Sequence, residues 1–198
     1  MALPQRYVEK DFYTEAEYLA LEEDALYKSE YVNGEIRMMS GGTLKHSALA
    51  VNVSTELRIA LRRRNCLVLS SDAKVHITSG SFRYPDVSVV CGPAQSYEQN
   101  ETVLTNPLVV VEVLSDSTES KDRGEKLHEY QAIDSLQSYL LVDQHTPRVE
   151  QYARKDNGHW DYQAVQGLEG TVTIPALEVT LALADIYEGI DFGETRNG

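Results

Sequence analysis

The ten residues 106–115, NPLVVVEVLS, place a single acid inside an apolar run. Val109 to Val111, then Val113 and Leu114, read as a strand buried on both faces, since a half-exposed strand would alternate apolar with polar residues. Such a strand belongs in the middle of a core, yet Glu112 sits within it. An ionised carboxylate there must be protonated, paired or bound to a cation. A second stretch, FRYPDVSVV, raises the same question, because Asp86 opens another short apolar run.

Side chains alternate across a strand. Asp86, Ser88 and Val90 share one face of the first run, and Leu108, Val110, Glu112 and Leu114 share one face of the second. If the two strands are neighbours in a suitable register, Asp86 and Glu112 converge. Two converging carboxylates repel, and a hard divalent cation relieves both the repulsion and the burial. Oxygen ligands of this kind suit Mg²⁺ or Mn²⁺. No Cys/His cluster suggests structural zinc. Asp86 after Pro85 is also an ordinary turn residue, and Glu112 could instead be held by a lysine or arginine.

Elsewhere the pattern is that of a mixed α/β sandwich with a central sheet. Thr14 and Glu17 form a capping box before a short helix. Asn33-Gly34 marks a type I′ hairpin between two short strands. Residues 41–64 read as a long helix, with Leu44, Ala48 or Val51, Ala50, Val53, Leu57 and Leu61 on its apolar stripe. Residues 66–77, 86–91 and 108–115 read as three strands. Residues 119–133 read as a helix with Gly124 a weak point inside it, and 137–143 as a further strand. Asn157-Gly158 marks a second hairpin, and the tail reads as strands ending in a short helix. With no linker or repeat, residues 1–198 read as a single domain.

The helix after Glu112 carries Asp122, Lys126 and Tyr130 four residues apart, hence on one face. A surface ion pair between Asp122 and Lys126 would be worth little. Aimed inward, Lys126 would meet the carboxylate pair and stabilise charge in a phosphoryl-transfer transition state.

Net charge is −13, which opposes non-specific binding to nucleic acid at long range. Arg58, Arg62, Arg63 and Arg64 form a local basic patch, read as cations at a helix C-terminus. Cys66 and Cys91 lie in apolar runs and read as two buried free thiols, which fits a reducing cytoplasm. The N-terminal residues show no secretory leader, and no apolar run is long enough for a membrane helix.

The order of these pieces resembles the PD-(D/E)XK nuclease superfamily, and more closely the Uma-two family of restriction-type endonucleases. The stretches carrying the resemblance are SEYVNGEIRMMSGG, KHSALAVNVSTEL, RYPDVSVV and VVVEVLSDSTESKDRGEKLHEYQAIDSLQSYLLVD. The resemblance implies a restriction-endonuclease-like core: a central mixed β-sheet flanked by helices, with additional β-hairpins. It implies that Asp86 and Glu112 bind Mg²⁺ or Mn²⁺, and that a water activated by the metal attacks a DNA phosphodiester, leaving a 5′-phosphate. It implies supporting roles for Glu30, as an extra metal ligand or water-orienting acid, and for His46, and it implies a homodimer. By residue type alone, Glu30 reads as an exposed strand residue and His46 as a satisfied buried histidine.

One position departs from the superfamily pattern. The lysine expected two residues after the second acid is Leu114 here. Lys126 from the following helix is the substitute the family suggests, ahead of Lys121 and Lys74. Two other functions fit the same residues: an inactive module that keeps the fold for binding or assembly, and a metal-dependent phosphoesterase acting on RNA or a small substrate.

Overall fold

The computed structural model describes residues 10–193. The expectation that the N-terminal stretch is not a secretory leader falls in part on residues 1–9, which lie outside the described residues. Helix α1 (Glu15–Glu23) begins at the predicted capping box: the Thr14 side chain accepts from the Glu17 N–H, and the Glu17 carboxylate accepts from the Thr14 N–H. Strands β1 (Ser29–Val32) and β2 (Glu35–Met38) form the expected hairpin. Asn33 and Gly34 both have positive φ, +49° and +98°, as a type I′ turn requires.

Helix α2 (Leu44–Ala60) buries Leu49, Val53, Leu57 and, just past its end, Leu61. This is one row at a spacing of four residues, and each buried Leu contributes on the order of 2 kcal/mol. Leu44, expected on that face, is 92% exposed, and of the alternatives Ala48 and Val51 both are exposed, Val51 at 61%. Val51 lies two residues from both Leu49 and Val53, about 200° around the helix, so the row that packs turns it outward. Arg58 lies in the last turn of α2, where cations complement the carbonyl ends.

Residues 66–77 are not one strand. A turn after Ser70 separates β3 (Cys66–Ser70) from β4 (Lys74–Ile77), and the two enter different sheets. Then follow β5 (Ser81–Arg83), β6 (Val87–Cys91), β7 (Ser96–Tyr97), β8 (Asn100–Leu104) and β9 (Val109–Leu114). The helix predicted over 119–133 breaks at Gly124 into α3 (Glu119–Asp122) and α4 (Glu125–Gln131). Strands β10 (Ser138–Asp143), β11 (Arg148–Arg154) and β12 (Trp160–Gln166) come next. A small hairpin, β13 (Thr171–Ile174) and β14 (Val179–Ala182), precedes the closing helix α5 (Leu183–Ile186).

One mixed sheet has the order β12-β11-β10-β9-β6-β3, with β9 and β10 parallel and joined through α3 and α4. A second sheet of six strands, β2-β1-β5-β4-β8-β7, takes up the hairpin that sequence suggested as an accessory. Strand β9 is buried on both faces, as its composition requires. Val109, Val111 and Val113 pack with Leu49, Val53 and Leu57 of α2. Val110 and Leu114 pack with Leu127 and Tyr130 of α4, and with Val75 and Ile77 of the second sheet.

The two cysteines are joined, contrary to the expectation of free thiols. Antiparallel pairing of β3 with β6 sets Cys66 directly opposite Cys91, with Cα atoms 4.0 Å apart and a disulfide between them. A separation of 25 residues conceals that pairing until the register is known. The argument from free thiols to a reducing compartment falls with it. Among the described residues, no helix is long and apolar enough to cross a membrane.

Candidate active site

Alternation along β9 turns Glu112 toward α4, on the face of Val110 and Leu114, and leaves it 3% exposed. In the β6–β9 ladder Val87 pairs with Val111 and Ser88 with Val110. One further step of that register sets Asp86 opposite Glu112. The Asp86 carboxylate closes the ladder there: Oδ2 accepts from the Val113 N–H at 2.7 Å. The same oxygen lies 3.3 Å from His46 Nε2. His46 comes from the first turn of α2, where the Thr43 hydroxyl accepts from its N–H. A Cβ at Gly42 would sit 2.8 Å from His46 Nδ1, so glycine leaves room for this ring.

The break at Gly124 starts α4 afresh and sends Lys126 inward. Its Nζ lies 2.9 Å from Glu112 Oε1, 3.1 Å from Asp122 Oδ1 and 3.7 Å from Glu30 Oε1. The Tyr130 hydroxyl donates to the same Glu112 oxygen at 2.9 Å. Asp122 and Lys126 are therefore no surface pair, being 1% and 7% exposed. Their contact is ionic only, because Asp122 Oδ1 is buried without a hydrogen-bond partner.

Glu30 reaches the cluster from β1. Its Oε2 accepts from Arg83 Nη1 at 2.8 Å, and its Oε1 accepts from the Tyr84 N–H at 3.4 Å. Arg83, on β5, is 1% exposed and also pairs with Glu129 at 2.7 Å and Glu125 at 3.3 Å, both on α4. Sequence reasoning missed this residue. The signal was there: an arginine in the short apolar stretch FRYPD poses the same burial problem as Glu112.

Burial, together with the carboxylates of Asp86, Asp122 and Glu30, pushes the Glu112 carboxyl up to about 8, although Lys126 opposes the rise. Burial alone would lower Lys126, but Glu112, Glu30 and Asp122 outweigh it and hold the ammonium above the usual lysine range. Burial raises Glu30 less than Lys126 and Arg83 lower it, so its carboxyl titrates below its ordinary value. The hydrogen bond to Asp86 raises His46 against the effect of its own burial. Burial, with Glu112 beside it, lifts the Tyr130 phenol well above its usual range.

The seven positions singled out from sequence thus fall into two neighbouring groups: Glu112, Lys126, Glu30, Asp122 and Tyr130 in one, and Asp86 with His46 in the other, joined through the Val113 N–H beside Glu112. Glu30 is not the exposed strand residue that composition favours. Of the other lysines, Lys121 is exposed, and Lys74 pairs with Glu22 at 3.6 Å. Leu114 is buried among Val75, Leu127 and Tyr139, so an apolar contact fills the place of the expected lysine.

A family model, Uma2, described as "Putative restriction endonuclease", matches residues 15–184. Two uncharacterized proteins of Synechocystis sp. are similar along most of their length. One, slr1290, is 37% identical over 89% of this chain and 92% of its own. The other, sll1609, is 34% identical over 84% of this chain and 94% of its own. A crystal structure of a "putative nuclease belonging to DUF820" from Anabaena variabilis superposes with a TM-score of 0.72. It covers 88% of this chain and 97% of that one at 20% identity, a likeness of fold. With a match that runs from the first helix to the last and two relatives above 30% identity, the chain belongs to the Uma2 family of restriction-endonuclease-like proteins.

Proposed function

We propose that this protein is a divalent-metal-dependent endonuclease that hydrolyses DNA phosphodiester bonds. The observation that carries the reading is the 2.9 Å contact between the Lys126 ammonium and the buried Glu112 carboxylate, one residue from the amide that Asp86 accepts. It joins a strand acid to a helix lysine in a chain whose strand offers Leu114 instead.

The donor set fits a hard cation. It consists of carboxylate oxygens, Asp86 Oδ2 beside the Val113 N–H and Glu112 Oε1 beside Lys126 and Tyr130. Among the described residues no three His, Cys, Asp or Glu side chains group closely enough to hold an ion alone. Two carboxylates with water in the remaining positions is the usual manner of Mg²⁺. Asp86 and Glu112 would be its ligands. When bound, such an ion lowers the pKa of a coordinated water and offsets charge on phosphoryl oxygens.

The chain's own groups do the rest. His46 Nε2 and the Val113 N–H fix the Asp86 carboxylate. The Tyr130 hydroxyl fixes Glu112. Lys126 supplies a permanent positive charge in a buried setting, where it stabilises the negative charge that grows on the phosphoryl group.

The test uses supercoiled plasmid, single-stranded DNA and RNA with Mg²⁺ or Mn²⁺. Cation-dependent cleavage of DNA that Asp86→Ala abolishes supports the proposal. A wild-type chain that cuts DNA no better than Asp86→Ala in every metal sinks it. The net charge of −13 favours one competing substrate class, RNA or a small phosphoester, and preferential cleavage of RNA in the same assay selects it.

A further inference from the structure

We propose that Glu30 is a positioning residue for Lys126 and no metal ligand: with Asp122 it keeps the Lys126 ammonium in the site when Glu112 gives up its lysine contact to a cation. This rests on the metal-dependent reading above and assigns a task to residues that reading leaves without one.

Both Glu30 oxygens are committed to protein donors, Oε2 to Arg83 and Oε1 to the Tyr84 N–H. Arg83 is clamped in turn by Glu129. Glu30 is therefore held from behind and points its remaining field at Lys126, 3.7 Å away. Lys126 and a metal ion both draw on the one Glu112 carboxylate, whose Oε1 the ammonium and the Tyr130 hydroxyl already share. An ammonium carries three N–H donors, and one of them serves Glu112. Asp122 Oδ1 lies 3.1 Å from that nitrogen, buried, with no hydrogen bond. It is an acceptor in reserve, close enough to take an N–H of the ammonium when the ammonium turns toward it. A buried polar atom without a partner is costly, so the network gains on one side what it loses on the other when the cation arrives. Glu30 and Asp122 would then be the two counter-charges left to Lys126, and they lie near enough to keep it from leaving.

The experiment is a calorimetric Mn²⁺ titration of wild type, Glu30→Gln, Lys126→Met and the double variant, each checked for folding by circular dichroism. Lys126→Met should bind Mn²⁺ more tightly, since the competitor for Glu112 is gone. Glu30→Gln should weaken Mn²⁺ roughly tenfold, within the range by which one group couples to another's binding. In the Lys126→Met background that loss should vanish, because Glu30 acts through the lysine. An equal loss in both backgrounds overturns the inference and makes Glu30 a ligand; no loss in either makes it a bystander. Absence of saturable heat in wild type removes the metal reading itself, so the two failures are separable.

Should Lys126→Met fail to fold, the wild-type chain labelled with ¹⁵N-lysine decides the matter. On adding Mg²⁺ the Lys126 Nζ signal should move yet remain protected from exchange with water. Loss of that signal to exchange overturns the inference.

Discussion

Lys126 on α4 and Glu112 on β9 meet 2.9 Å apart in a site where the glutamate is 3% exposed. That contact brings the helix of the β9–β10 crossover onto the face of the strand it follows. It also makes the candidate active site part of the folded core, so substitutions there act on stability as well as on chemistry.

Lys126→Met therefore leaves Glu112, Asp122 and Glu30 without their shared cation. Removing one partner of a buried pair costs about 3–5 kcal/mol. Urea unfolding in the absence of metal should show a loss of that size at pH 8. Combining it with Glu112→Gln should restore part of the loss. Additive penalties would mean that the two groups do not interact.

Acid stability has a separate source at Glu150, which is 4% exposed. Burial raises its carboxyl, but the hydrogen bond from Arg123 and the charges of Arg123 and Arg148 outweigh that and leave it below its ordinary 4.5. A carboxyl depressed in the folded state stabilises fully above the unfolded value and loses that contribution as pH falls through the folded one. The stability gap between wild type and Glu150→Gln should hold steady above about pH 5 and shrink as pH drops further. A gap that widens toward acid contradicts the assignment.

The Cys66–Cys91 disulfide closes a loop of 25 residues. Chain-entropy reasoning gives about 3–4 kcal/mol for a loop of that length. Reduction, or Cys66→Ser with Cys91→Ser, should lower the urea midpoint accordingly. Titratable thiol in the native, unreduced protein would show that the bridge is not formed.

A homodimer is the expected assembly. Strand β12 ends its sheet, with most of its residues exposed and Tyr162 at 51%. Such an edge pairs readily with a second chain. Light scattering should report twice the chain mass, and a lysine substituted for Tyr162 should shift the protein toward monomer. Scattering at a single chain mass for the wild type ends that expectation.

Much of this architecture is written in short stretches of chain. The Thr14–Glu17 capping box, the Asn33-Gly34 turn and the break at Gly124 each follow from residues within a few positions of one another. The face of Glu112 follows from the two-residue period of a strand, and the alignment of Asp122, Lys126 and Tyr130 from the four-residue step of a helix. Even the departure at Leu114 was visible, though not its consequence, that an apolar cluster would claim the position.

Other features depend on which surfaces meet. Arg83 bonds to Glu30 across 53 residues of chain, and Cys66 faces Cys91 only because β3 pairs with β6 in that register. Lys74, Lys121 and Lys126 are alike as charges; the packing of α4 on β9 brings only Lys126 of the three to Glu112. Val51 and Leu44 were as apolar as Leu49, and the row that packed on the sheet turned them outward. Periodicity is a property of local backbone geometry, so a chain read residue by residue reveals which way each side chain points from its own element. What it points at is settled when elements far apart in sequence pack together, and here that packing put a lysine, an arginine and four carboxylates into one buried site.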